Sequence, residues 1–306
     1  MMGGISIYFW IGFHAFIFLM LALDLGVFSK KAHKVPLKEA IIWSSVWITL
    51  AIIFDLFVYF EFGKIKALEF ITGYVIEYSL SVDNIFVFII IFTYFAVPDR
   101  YQHKVLFWGI LGALVMRGIF IFAGVALIKR FHWIILIFGA FLVFTGIKML
   151  FQKNTQVHPE KNPVVKFFRK FLPVSDETHG SKLFIRQNHR IFATPLFLVL
   201  LVIESTDLLF AVDSIPAVLA VSHDKFIVYT SNIFAILGLR SLYFAVAGIM
   251  GYFRYIKIGI AFILTFVGLK MLVSFFDIEI PIILSLGIIV SILFISILAS
   301  IIIKKE

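Results

Sequence analysis

Nine long apolar runs constrain this chain more than any other feature, at about 5–28, 40–60, 68–95, 105–128, 132–151, 193–222, 226–251, 256–275 and 280–303. An α-helix needs roughly 20 such residues to cross the hydrocarbon core of a bilayer. The runs are unbroken stretches of Ile, Leu, Phe and Val and lack the short alternating strands of a membrane β-barrel. Hydrophobic residues make up 62% of the 306, only 15% are charged, and the mean hydropathy is +1.06, a balance that a water-soluble domain does not carry. The expected fold is an all-α polytopic membrane protein with about nine transmembrane helices.

The net charge of +9 follows topology and does not indicate nucleic acid. With the amino terminus outside, eighteen Lys and Arg residues fall in inner segments, against Lys64, Lys66, Lys129, Arg130 and Lys225 outside. The positive-inside rule then predicts an N-out, C-in protein of the bacterial inner membrane. The first run lacks a basic leader and is followed at once by Lys30 and Lys31, so it reads as a retained anchor. The absence of cysteine removes disulfides, thiolate metal sites and cysteine nucleophiles from consideration.

The chain repeats itself. Ser81-Val82-Asp83-Asn84-Ile85 matches Ala211-Val212-Asp213-Ser214-Ile215, and the same offset sets Glu77 against Asp207. Further on, Arg117 corresponds to Arg240, and Gly146-Ile147-Lys148-Met149-Leu150 to Gly268-Leu269-Lys270-Met271-Leu272. Each copy covers three predicted helices, and an odd number of crossings turns the copies over, giving an inverted 3+3 repeat. The expected organisation is two helices over 1–67, a first repeat over 68–151, a cytoplasmic loop over 152–192, a second repeat over 193–275 and a last helix within 276–306. Residues 164–172 of the loop, which mix bulky apolar and basic residues, predict a helix lying at the interface. Inverted repeats are a common construction of secondary transporters, with the site at the repeat interface near the midplane.

Carboxylates inside hydrocarbon cost roughly 2.5–3.5 kcal/mol each on insertion scales, so their presence calls for a function. Glu77 and Asp83 lie in the third run and Glu204, Asp207 and Asp213 in the sixth, with Asn84 and Ser214 adding neutral oxygens. An oxygen-only set suits hard cations such as Mg²⁺, Ca²⁺ or Mn²⁺ better than copper or zinc. Because crowded, desolvated carboxylates also hold protons, the same groups allow cation–proton exchange. Six residues on a regular helix leave Glu77 and Asp83, or Asp207 and Asp213, about 120° apart, so they face different partners or the helix breaks. Pro216 points to a break in the sixth run.

Arg117 and Arg240 serve either to neutralise these acids or to bind an anionic substrate; Asp24 is an accessory acid near the inner end of the first helix. Asp55, Glu61 and Glu69 read as solvated charge, and His14 as a packed histidine. No nucleophile–base pair, phosphate loop or cofactor motif stands out, so neither an enzyme nor a resident cofactor is expected. The bilayer and a divalent cation are the expected partners, and a homo-oligomer or a membrane partner is compatible with such a bundle.

The strings Thr72-Gly73-Tyr74-Val75-Ile76-Glu77, Ser81-Val82-Asp83-Asn84-Ile85-Phe86-Val87 and Phe210-Ala211-Val212-Asp213-Ser214-Ile215-Pro216-Ala217 resemble the TerC family, specifically its Alx-like branch. The run from Thr230 to Arg240 fits that branch too. The resemblance implies kinship with LysE-type exporters, manganese efflux linked to alkaline pH, and a family name taken from tellurium resistance. It also implies that Glu77, Asp83, Glu204, Asp207 and Asp213 are the acids used. Two other readings stay open: export of a small solute or tellurium-related anion, and a membrane scaffold for a metal or stress-response complex.

Overall fold

The computed structural model describes residues 7–28, 35–131, 133–151, 173–175, 180–187, 190–249, 255–276, 278 and 280–303. The side chains of Asp24, Asp83 and Asp213, and the interfacial helix expected over 164–172, lie outside the described residues. Among these residues the chain forms ten helices: α1 (Ile7–Phe28), α2 (Leu37–Phe62), α3 (Lys64–Tyr94), α4 (Asp99–Arg130), α5 (Ile134–Phe151), α6 (Pro195–Leu219), α7 (Lys225–Leu237), α8 (Leu239–Ile249), α9 (Ile256–Ser274) and α10 (Ile282–Ile302). They fall on the nine apolar runs, because the seventh run is split into α7 and α8. Six helices are long and apolar enough to cross a membrane, and seven if the bent α7–α8 pair counts as one span. The remaining apolar helices, Ile7–Ala22 and Ile258–Ser274, are shorter.

Two breaks interrupt the helices. Between α2 and α3 the chain turns on Gly63 alone, at φ 87°, a conformation that glycine adopts without penalty; its N–H still closes on the Tyr59 carbonyl. Between α7 and α8 the axis bends by 43° at Gly238. The break predicted at Pro216 does not occur, since α6 continues through it to Leu219. Pro216 sits within a turn of the helix end and removes a single ladder bond, and the helix there packs against α3 and α4.

The structure is not wholly helical. β1 (Phe184–Gln187) and β2 (Arg190–Ala193) pair antiparallel, Phe184 facing Ala193 and Ile185 facing Phe192. This hairpin delivers Thr194 to the start of α6, where its hydroxyl caps the Phe197 N–H at 3.4 Å and donates to the Lys182 carbonyl at 2.7 Å. Such local alternation was obscured in sequence by the surrounding polar loop.

The helices of the two copies interleave. α3 packs against α7 and α8, α4 against α6, and α3 against α6. α5 and α9 meet most closely, backbone to backbone: a Cβ on Gly268 would lie 2.7 Å from the Gly139 carbonyl, and one on Gly146 2.7 Å from the Ala261 carbonyl. Small residues permit such approaches between membrane helices, where van der Waals packing is a main source of association.

Candidate functional site

Four helices bring their polar residues to one point. Arg117 extends from α4 and is 1% exposed, against Glu77 of α3 at 0% and Asp207 of α6 at 3%. Its Nη1 donates to Glu77 Oε1, to Asn232 Oδ1 on α7 at 3.0 Å and to Ser214 Oγ on α6 at 3.3 Å. Its Nη2 donates to Asp207 Oδ1 at 3.4 Å. The Asn232 amide closes the ring by donating from Nδ2 to Glu77 Oε2 at 3.0 Å. One amide orientation makes both of its bonds, so the network fixes that orientation.

The satisfaction of these groups is uneven. Both Glu77 oxygens have donors. Asp207 Oδ2 and Arg117 Nε are buried and have no hydrogen-bond partner. Three oxygens meet Nη1, which carries only two hydrogens. Two carboxyl groups face one guanidinium, so full ionisation of both would leave one negative charge uncompensated in a low-dielectric setting, at a cost on the order of several kcal/mol.

The expected residues are distributed as follows. Glu77, Asp207, Ser214 and Arg117 share this cluster. Asn84 is buried on α3. Glu204, one turn before Asp207, is partly buried and lays its carboxylate against Gly112 of α4. Arg240 stands apart at the start of α8, 2% exposed, with Nη1 donating to His103 Nε2 at 3.4 Å. Glu69, read from sequence as solvated, accepts from Lys66 at 2.9 Å and Ser222 at 2.6 Å near the α6–α7 turn. Among the described residues no group of three or more His, Asp or Glu side chains is arranged to hold a metal ion.

The sequence reading did not single out Asn232, which lies within the Thr230 to Arg240 run. Its signal was positional: Asn232 lies eight residues before Arg240, where the first copy has Gly109 eight residues before Arg117. His14 is also more than packing. Its Nδ1 donates to the Trp10 carbonyl at 2.8 Å, and its Nε2 takes the Tyr229 hydroxyl at 3.0 Å, one turn from Asn232 on α7. The carbonyl is an acceptor only, so it places a proton on Nδ1.

Comparison with known proteins finds membrane proteins of similar sequence. An uncharacterized membrane protein of Myxococcus xanthus is 52% identical over 293 residues, covering 96% of this chain and 92% of its own length. An Escherichia coli K12 protein provisionally named a membrane-bound redox modulator, Alx, is 45% identical, with 93% and 91% covered. A membrane protein of Rickettsia bellii is 41% identical, with 97% and 98% covered. No solved structure matches. The sequence model described as "Integral membrane protein TerC family" matches residues 62–306, which takes in α3 through α10 and every member of the buried cluster, and the chain therefore belongs to the TerC family of integral membrane proteins.

Proposed function

We propose that this protein exports a hard divalent cation, Mn²⁺ foremost, across the bacterial inner membrane by alternating access. The observation that carries the reading is the meeting of Glu77 and Asp207, which occupy matching places in the two copies, at one buried point. The whole buried cluster of acids and arginine costs more than apolar residues filling the same place, so its presence argues for a function. Two acids against one arginine favour a cation over an anion, and Glu77, Asn232 and Ser214 supply oxygens alone, the ligand type that Mn²⁺ takes.

The packing supports an inverted repeat. If the copies exchange places, α3 with α6, α4 with α7–α8 and α5 with α9, the α4–α6 contact becomes the α3–α7–α8 contact, and both are extensive. The α5–α9 seam maps onto itself, with Gly146 and Gly268 at matching positions. All nine apolar runs then cross the membrane, N-out and C-in, and rocking of one copy against the other opens the cluster to either side. Proton return through the same carboxylates is the coupling this chemistry allows. The function is transport and not catalysis.

An anion-export role requires a guanidinium open to substrate, whereas Arg117 is enclosed by Glu77, Asp207 and Asn232. The test is Mn²⁺ flux in proteoliposomes under an imposed pH gradient, with Mg²⁺, Ca²⁺ and Zn²⁺ as competitors. Glu77→Gln keeps the shape and the Asn232 contact but removes the charge, and is expected to reduce flux to that of empty vesicles. Wild-type flux in Glu77→Gln, or absence of Mn²⁺ flux in the unmodified protein, defeats the reading.

A further inference from the structure

Resting on the cation reading of this cluster, the geometry points to Arg117 as a tethered competitor that moves between two carboxylates. In the structure its Nη1 sits where Glu77, Asn232 and Ser214 converge, so guanidinium and cation are alternatives for one place. A cation entering there must move the arginine aside, and the fold offers a second position. Asp207 already holds Nη2 through Oδ1, while its Oδ2 and the arginine Nε are both buried without partners. A side-on fork, Nη2 to Oδ1 and Nε to Oδ2, would satisfy both atoms in one shift. Bidentate pairing of this kind is the strongest geometry open to an arginine and a carboxylate.

The shift also redistributes charge. With the arginine on Glu77, Asp207 is held by one long bond; with it on Asp207, Glu77 faces the cage alone and meets the incoming cation. Glu77 and Asp207 thus have different tasks: Glu77 is a cation ligand, and Asp207 is a positioning residue that acts through Arg117. Gating by a tethered positive charge adds a release mechanism, because the returning guanidinium displaces the bound cation from its oxygens.

The full-length protein in detergent, titrated with MnCl₂ and read by thermal stabilisation, tests this. Arg117→Gln removes the competitor and is expected to tighten apparent Mn²⁺ affinity by about tenfold, since a site occupied most of the time by its own arginine loses affinity in that proportion. Asp207→Asn removes the second position and is expected to weaken it. The double variant is expected to bind like Arg117→Gln, because Asp207 then has no arginine to receive. A weak double variant makes Asp207 a direct ligand and overturns the inference, as does unchanged or weaker binding by Arg117→Gln. Should Arg117→Gln not yield folded protein, Arg117→Lys decides: a lysine cannot fork, so binding tighter than wild type supports the inference, and equal or weaker binding overturns it. If the unmodified protein shows no Mn²⁺ stabilisation at all, the cation reading itself fails, an outcome distinct from the others.

Discussion

Arg117 and Arg240 occupy matching places in the two copies, yet their surroundings have diverged. Arg117 projects from an unbroken α4 into a filled corner, where Asn232 bridges it to Glu77. Arg240 follows the break at Gly238 and borders a cavity of ≈ 10 Å³ shared with Gly109 and Asp207, about the room one water occupies. Where the second copy supplies an asparagine, the first supplies a glycine, and the mirrored network cannot form. One corner holds the filled cluster, and the other combines a helix break with a small cavity beside Asp207, room that the proposed rocking motion could use.

The largest expected effect puts that division to the test. Glu77→Leu leaves Arg117 buried without its principal counter-charge and is expected to cost about 3–5 kcal/mol, the usual penalty for breaking a buried ion pair from one side. At the other corner His103→Leu removes one neutral acceptor from Arg240 and is expected to cost about 1 kcal/mol. Thermal melts of both variants in the same detergent give the ordering. Equal losses would mean that both arginines are structural pins and that the corners have not diverged.

The same asymmetry explains what could be read from sequence. Among the described residues each of the nine apolar runs carries a helix. Six or seven of these are long and apolar enough to cross a membrane, where a continuous apolar segment has no other way to satisfy its backbone. The repeat offset linked Glu77 to Asp207 and Arg117 to Arg240 before any contact was known, since duplication leaves its mark in residue identity. Asn232 escaped because it is a neutral residue without a counterpart in the other copy. Gly238 escaped because glycine is common in membrane helices, and Pro216 drew attention in its place. Which acid would take the arginine was not legible either: reach and rotamer decide it, and Glu77 has one more methylene than Asp207.

Where the copies meet each other they should behave alike, and the α5–α9 seam sharpens the comparison. A Cβ on Gly146 would stand 2.8 Å from the Thr265 backbone nitrogen, and one on Gly268 2.8 Å from that of Val143. Backbone cannot yield as a flexible side chain does. Gly146→Val and Gly268→Val are each expected to cost about 1–3 kcal/mol by overpacking. Similar losses in melting temperature fit the proposed inverted repeat with its axis at this seam, whereas a large loss in only one counts against that arrangement.

The smallest effect concerns the spare volume itself. A methyl added at Gly109 would meet Ile203 Cγ2 at 3.4 Å, an ordinary contact, and would enter the cavity beside Asp207. Alanine in place of a helical glycine also reduces the freedom of the unfolded chain, so Gly109→Ala is expected to stabilise by up to about 1 kcal/mol. If the cavity is slack that the moving copy uses, this gain in melting temperature should come with slower Mn²⁺ flux at unchanged Mn²⁺ affinity, because filling it hinders the transition and leaves the cage of Glu77, Asn232 and Ser214 as it was. A stabilised variant with undiminished flux would show that the hollow corner is a packing defect and that the copies differ in filling alone.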